Sequence, residues 1–209
     1  MASVGIIKFL DKYLGSLFCL ILSVNKLFHR KKIPKYSKYN NILIIQLWGI
    51  GETILTLPSI KALREKYKKS NIDLLVTNRN KDIFYNNENI SNVKVLKLNP
   101  ISIKLFILKN YKRYDLVIDM EEYLNISALI AFYVGKYCIG YSHGLRSSLY
   151  SQRIKYNDRQ HVVYTFLDLL KPLGIKKSVD ELPNLNYSSN DKKSVDSLLK
   201  KYKIGKKDF

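Results

Sequence analysis

Residues 41–67 read NILIIQLWGIGETILTLPSIKALREKY. An apolar run enters the turn Gly49-Ile50-Gly51-Glu52, and the turn leads straight into helical spacing. Two chemistries fit a glycine turn between a strand and a helix. The glycines can bring backbone N–H groups against a phosphate, because a helix N-terminus presents unpaired donors. Alternatively, the turn holds the Glu52 carboxylate at the mouth of a cleft, where it can take a proton. The first chemistry needs more than this turn provides. A dinucleotide fingerprint requires a third glycine where Ile54 stands, and an acid near the end of the next strand, where the residues are Val76-Thr77-Asn78-Arg79. A P-loop requires Gly-Lys-Ser/Thr, which this turn lacks. The carboxylate reading keeps one plain competitor: an acid in a helix's first turn is favoured by the helix dipole by about 0.3–1 kcal/mol.

Other groups could work beside Glu52. Asp119, Glu121 and Glu122 follow the apolar run Leu116–Ile118, and either bind hydroxyl groups or form a solvated acidic loop. Glu52 with Asp119 raises a paired-carboxylate arrangement, whose separation cannot be read from sequence. Tyr141, His143 and Arg146 share a glycine-containing segment suited to holding sugar or phosphate. Trp48 either stacks on a sugar ring or packs. The two cysteines, Cys19 and Cys138, form no CxxC pair, so no zinc or disulfide framework is readable.

The elements that must position these groups alternate. Strands are predicted at 42–47, 72–76, 93–98, 116–118 and 137–139, and helices at 53–67, 101–110, 125–134 and 160–173. A short irregular or helical piece lies around 82–85, and residues 141–158 read as irregular. Strand and helix alternating at this spacing predict an open, mostly parallel α/β sheet. At 209 residues the chain is long enough for one domain with a real core, and 46% hydrophobic residues suit a packed fold. The expected organisation is an amphipathic segment with linker over 1–38, a Rossmann-like domain over 39–180, and a linker and Lys-rich helix over 181–209. The ending, KIGKKDF, reads as the approach to another strand, so a second domain is expected beyond this chain.

Net charge is +19, from 36 Lys and Arg against 17 Asp and Glu. Such a field favours anionic partners, although a lysine-rich compositional bias gives the same count. In residues 6–32 apolar side chains, Phe18 among them, recur at helical spacing, and the basic run Arg30-Lys31-Lys32 follows. The uncharged stretch is too short to span a bilayer and lacks a cleavage site. An apolar face beside a basic cluster predicts a helix lying on an anionic membrane surface; the alternative is a helix packed on its own domain.

Four segments, ILIIQLWGIGETILTLPSIKALREKY, YDLVIDMEEYLNISALIAFYVG, CIGYSHG and RQHVVYTFLDLLKPLGI, occur in this order over about residues 41–175. Together they resemble the amino-terminal half of the lipopolysaccharide heptosyltransferase family, glycosyltransferase family 9. The resemblance implies one half of a GT-B fold, two Rossmann-like domains facing a cleft. This half would hold the sugar or glycolipid acceptor, and a second half would bind the nucleotide-sugar donor. It implies inverting transfer to an envelope glycan at the inner face of the cytoplasmic membrane, with no cofactor, metal or nucleic-acid partner. The family's loop carries Gly-Asp, whose Asp is the expected general base. Here Gly51-Glu52 takes that place, with Pro58 downstream, and the carboxylate reaches one methylene further. The implied acceptor contacts are Trp48, Gly49, Gly51, Thr53, Asp119, Glu121, Tyr141, His143, Arg146 and His161, the last matching a histidine that opens the final helix of the family's domain. Competing readings are a non-catalytic sugar- or phosphate-binding module at the membrane and, more weakly, a dinucleotide-dependent enzyme.

Overall fold

The computed structural model describes residues 11–27, 38–176, 179, 183–202 and 204. Six strands form one sheet: β1 (Asn41–Ile45), β2 (Asn71–Val76), β3 (Asn92–Val95), β4 (Tyr114–Asp119), β5 (Gly135–Tyr141) and β6 (Gln152–Ile154). Their spatial order is β3-β2-β1-β4-β5-β6, and every adjacent pair is parallel. That is the doubly wound order, in which the chain reverses direction across the sheet between β1 and β4. The predicted Rossmann-like parallel sheet is therefore observed.

The helices are α1 (Ser16–Leu27), α2 (Ile50–Lys66), α3 (Pro100–Lys109), α4 (Asn125–Val134), α5 (Val162–Asp168) and α6 (Ser189–Lys201). Strand side chains alternate between two faces. Ile42 and Ile44 of β1 accordingly join one core with Leu57, Ile60 and Leu63 of α2 and Val163 and Phe166 of α5. Leu43 and Ile45 join the other, with Ala128 and Ile130 of α4 and Cys19 of α1. Both faces of β1 are covered, which is why NILII reads as an unbroken apolar run.

Three features depart from the sequence reading. The segment 141–158 is not wholly irregular: it holds a 3₁₀ turn at Leu145–Leu149 and the edge strand β6, too short at three residues to leave a period-two pattern. The helix predicted over 160–173 divides into α5 and a 3₁₀ turn, Lys171–Leu173, because Pro172 cannot continue α-helical hydrogen bonding. Finally, α1 docks on its own domain. A π turn, Asp11–Gly15, precedes it, and the Asp11 carboxylate accepts the N–H groups of Asn125 (2.9 Å) and Ile126 (2.7 Å). Those are orphan donors at the start of α4, so Asp11 caps that helix and ties α1 beside it. Cys19 is fully buried in this contact. The outer face of α1 stays apolar and open: Leu14, Leu17, Phe18, Ile21 and Val24 are exposed. Arg30, Lys31 and Lys32 lie outside the described residues. No helix among the described residues is long and apolar enough to cross a membrane.

Candidate functional site

In a doubly wound sheet, ligands sit in the crevice outside the carboxyl ends of the strands at the reversal point. Here the reversal point falls between the ends of β1 and β4. The loop after β1 carries Trp48, Gly49 and Glu52; the loop after β4 carries Glu121, Glu122 and Tyr123.

The β1 loop is held at nearly every backbone polar group. Glu121 Oε1 accepts the N–H groups of Leu47 (2.6 Å) and Trp48 (2.9 Å). Asn80 donates to the Gln46 carbonyl (2.9 Å), Thr77 to the Leu47 carbonyl (3.1 Å), and the Gln46 amide to the Trp48 carbonyl (2.8 Å). Gly49 then turns the chain at φ +73°, a conformation that favours glycine, and its carbonyl accepts the N–H of Thr53 to open α2. A side chain at position 49 would meet the Glu52 carboxylate, whose Oε2 lies 2.8 Å from where a Cβ would sit. Gly51 differs, since nothing lies within 4 Å of its missing Cβ. The turn thus uses its first glycine to bend and to leave room for the Glu52 carboxylate, while Gly51 faces open space. Glu52 is exposed in the first turn of α2.

Below the loops lies a buried ion pair. Asp119 Oδ2 accepts from Arg146 Nη2 (2.7 Å), the Tyr150 hydroxyl (2.6 Å) and Ser127 Oγ (2.8 Å). Arg146 Nη1 donates to the Glu121 carbonyl (2.6 Å), and its Nη2 also reaches Ser127 Oγ (2.9 Å) and the Tyr150 hydroxyl. The Tyr150 ring lies against Gly140 of β5, where a Cβ would fall 2.4 Å from ring carbons. Burial, then the charge of Asp119, pushes the Glu121 carboxyl up to about 8, only partly opposed by the two N–H groups it accepts and by Arg146. The shift favours the protonated form of Glu121.

The exposed lip of the crevice is aromatic and acidic. The Glu122 carboxylate, hydrogen-bonded to the Tyr123 phenol, pushes that phenol up to about 12. Burial raises the Tyr156 phenol, and the charges of Glu122 and Glu52 add to it. The His143 ring meets Tyr123 edge-on at 4.9 Å, and Tyr156 meets Tyr141 at 5.0 Å. On the β2 side the Arg79 guanidinium lies 5.1 Å from the centre of the Trp48 ring. Exposed and half-buried carboxylates, phenols, an imidazole and a guanidinium at this edge suit a polyhydroxylated or phosphorylated ligand.

The residues singled out in the sequence thus divide. Glu52, Trp48, Gly49, Gly51 and His143 lie at or near the open edge. Asp119, Arg146, Thr53 and Tyr141 have buried side chains that are hydrogen-bonded within the protein. Thr53 bonds the Gly49 carbonyl, and Tyr141 donates to the Thr165 carbonyl (3.1 Å). Glu121 is likewise turned inward onto the β1 loop. His161 is exposed at the start of α5 and accepts the Val163 N–H through Nδ1 (3.3 Å), a helix-start role. Tyr123, Tyr156 and Arg79 went unsignalled in the sequence, and Glu122 was placed at the edge only as part of an acidic run. Strand parity carries the missing signal: Asp119 and Glu121 are two apart and share the inward side, which sends Glu122 outward. No group of three His, Cys, Asp or Glu placed to hold a metal occurs among the described residues.

Sheet order defines a Rossmann-like α/β domain, and the carboxyl ends of β1 and β4 carry these groups. Residues 108–204 match the profile of glycosyltransferase family 9 (heptosyltransferase). Three solved structures share the fold. A family 9 glycosyltransferase from Veillonella parvula superposes with a TM-score of 0.68 at 18% identity, over 81% of this chain and 53% of that one. Escherichia coli heptosyltransferase WaaC, solved with ADP-2-deoxy-2-fluoro heptose, gives 0.59 at 22%, over 68% and 51%. E. coli ADP-heptose lipopolysaccharide heptosyltransferase II gives 0.57 at 14%, over 79% and 51%. The chain spans about half the length of each. No curated protein matches it by sequence at a significant level. The likeness to glycosyltransferase family 9 first read from four sequence motifs is thereby borne out, and the fold is that of the family's heptosyltransferase structures.

Proposed function

We propose that this chain is the acceptor-side half of an inverting, nucleotide-sugar-dependent glycosyltransferase acting on an envelope glycan or glycolipid. The observation that carries the reading is the Glu52 carboxylate, seated over Gly49 and presented by a fully bonded loop at the switch point of the sheet. An acceptor hydroxyl has a pKa far above 7, so its proton must leave as the glycosidic bond forms. Glu52 takes that proton, while Glu122, Tyr123, Tyr156 and His143 line the acceptor's approach. The donor is held by a second Rossmann-like domain facing this edge. That WaaC was solved with an ADP-heptose analogue supports a nucleotide-diphosphate sugar as donor. Lipopolysaccharide assembly is the pathway that the relatives' names support. The protein works peripherally at the inner face of the cytoplasmic membrane, held there by the open apolar face of α1, Phe18 included, and the basic run Arg30-Lys31-Lys32.

The test is Glu52→Gln in a protein carrying both halves. A positioned carboxylate base contributes about 10²–10⁴-fold, so kcat should fall by that factor while acceptor binding to the isolated chain is kept. Full activity in Glu52→Gln would leave Glu52 as a helix-start residue. Acceptor binding without turnover, in both wild type and variant, would instead favour a non-catalytic sugar-binding module.

A further inference from the structure

Helix α3 is apolar almost all round. Its inner side chains, Ile103, Phe106 and Ile107, pack on the core beneath α4. Its outer ones, Ile101, Leu105 and Leu108, recur at the spacing of one helical face and are 73%, 60% and 64% exposed. Three large aliphatic side chains open to water on one short helix, with Tyr111 exposed just after it, make a patch that asks for a partner. Charge selects the partner. From Ser91 to Tyr114 there is no acidic residue, and Lys97, Lys104, Lys109 and Arg113 are exposed around the patch. Residues 12–51 are likewise free of acids. An apolar face framed by cations, with no anion inside it, complements an anionic lipid surface, where the aliphatic groups enter the acyl boundary and the ammonium groups meet phosphates.

Position strengthens the match. α1 and α3 lie against α4 on the same face of the sheet, and both contribute to the core cluster beneath it. Each also keeps exposed apolar side chains: Leu17, Phe18, Ile21 and Val24 on α1, and Ile101, Leu105 and Leu108 on α3. α3 also begins soon after the carboxyl end of β3, so its first turn starts from the same end of the parallel sheet as α2, which carries Glu52.

We propose that α3 is the second half of a two-helix bilayer contact: the outer faces of α1 and α3 enter an anionic lipid surface together, with the crevice edge facing along the membrane. A single helix leaves a peripheral protein free to swivel. Two separate helices, each packed on α4, fix its tilt, and they set the carboxyl edge of β1 and β4 at the level where a lipid-linked acceptor presents its headgroup. The proposal rests on the membrane reading given above, to which it adds the α3 face and an orientation.

The test uses the full chain with vesicles of phosphatidylglycerol or of phosphatidylcholine alone. Leu105→Glu/Leu108→Glu and, separately, Phe18→Glu/Ile21→Glu are expected to lower partitioning onto phosphatidylglycerol by at least tenfold each, with little binding of wild type to phosphatidylcholine. Wild-type-like binding by the α3 variant, with release of the α1 variant, overturns the two-helix contact and leaves α1 as the anchor. Wild-type-like binding by both variants, or none by wild type, overturns the membrane reading as well. Should the double variant fold poorly, Ile101→Cys carrying an environment-sensitive fluorophore gives a second readout, since Cys19 and Cys138 are buried. A blue shift on phosphatidylglycerol vesicles is expected; unchanged emission alongside vesicle binding overturns the proposal. A lipid-free dimer that the α3 variant dissolves, with vesicle binding intact, assigns the face to self-association and overturns it too.

Discussion

Replacing Glu121 by glutamine should stabilise this protein, and more so at higher pH. In wild type, burial and the neighbouring Asp119 raise this carboxyl to about 8, against an ordinary value of 4.5. A raised carboxyl means that the unfolded chain releases its proton at lower pH than the folded one. Between these two values the folded state therefore binds more protons, and stability falls as pH rises. The contribution is fully present below about pH 4.5 and is lost as pH climbs through 8. Across that window the loss is on the order of a few kcal/mol. Glutamine keeps the contact that matters structurally. Both loop amides bond a single oxygen, Oε1, and an amide oxygen accepts two N–H groups as well as a carboxyl oxygen does. The variant cannot ionise, so it escapes the loss. Urea unfolding of both proteins at half-unit steps from pH 5 to 8.5 isolates the effect, because all other titrating groups are common to the two. The difference in unfolding free energy should be small at pH 5 and grow to several kcal/mol by pH 8. Parallel curves, separated by a constant amount at all pH values, would refute the raised carboxyl.

Arg146→Ala should destabilise by about 3–5 kcal/mol, because it strands the Asp119 carboxylate in the interior; chemical denaturation reads this directly. Gly140→Ala should cost about 1–3 kcal/mol or more, since the new methyl drives into the Tyr150 ring behind that ion pair, and a normal melting temperature would show the ring to be free to move. In a protein with both halves, Glu52→Asp should retain measurable transfer, because it restores the carboxylate usual in the resembled family; complete loss would mean that the extra methylene sets the reach. Residues 1–209 alone should neither hydrolyse nor transfer a nucleotide sugar above background, since donor and acceptor must be held together for proximity to act.

Secondary structure was legible in the sequence wherever one period dominated. The unbroken run at β1 and the helical spacing of 125–134 each announced an element close to its observed bounds, because both are covered by core on the sides the pattern implies. β6 was not legible, since three residues of an edge strand need no apolar alternation. The open edge was partly legible: a glycine turn after a strand places Glu52 at the carboxyl end on topology alone. The inward turn of Arg146 was not. Its burial depends on Asp119, Ser127 and Tyr150 arriving from β4, α4 and the segment after β5, an arrangement that no local spacing encodes. An arginine in a glycine-containing loop reads as a ligand contact until the partner carboxylate is seen beneath it.

These buried groups still bear on the chemistry, at one remove. Glu52 itself is exposed, so its position depends on the backbone that carries it. Every backbone N–H and carbonyl from Gln46 to Trp48 is hydrogen-bonded: those of Gln46 to Leu75 and Asn80, those of Leu47 to Glu121 and Thr77, and those of Trp48 to Glu121 and the Gln46 side chain. Glu121 is held in turn by its own backbone, whose carbonyl takes a bond from Arg146 and whose N–H donates to Asp119 (3.1 Å). The ion pair thus links the loops after β1, β4 and β5, and the Asn80 contact adds the loop after β2. A base must lie within about 2.6–3.2 Å of the proton it takes, a tolerance that a freely moving loop would not hold. Polar burial that adds little to net stability can therefore fix the geometry of an exposed carboxylate. On this account Asp119 and Arg146 are positioning residues: loosening the pair while the fold persists should lower turnover before it lowers acceptor affinity.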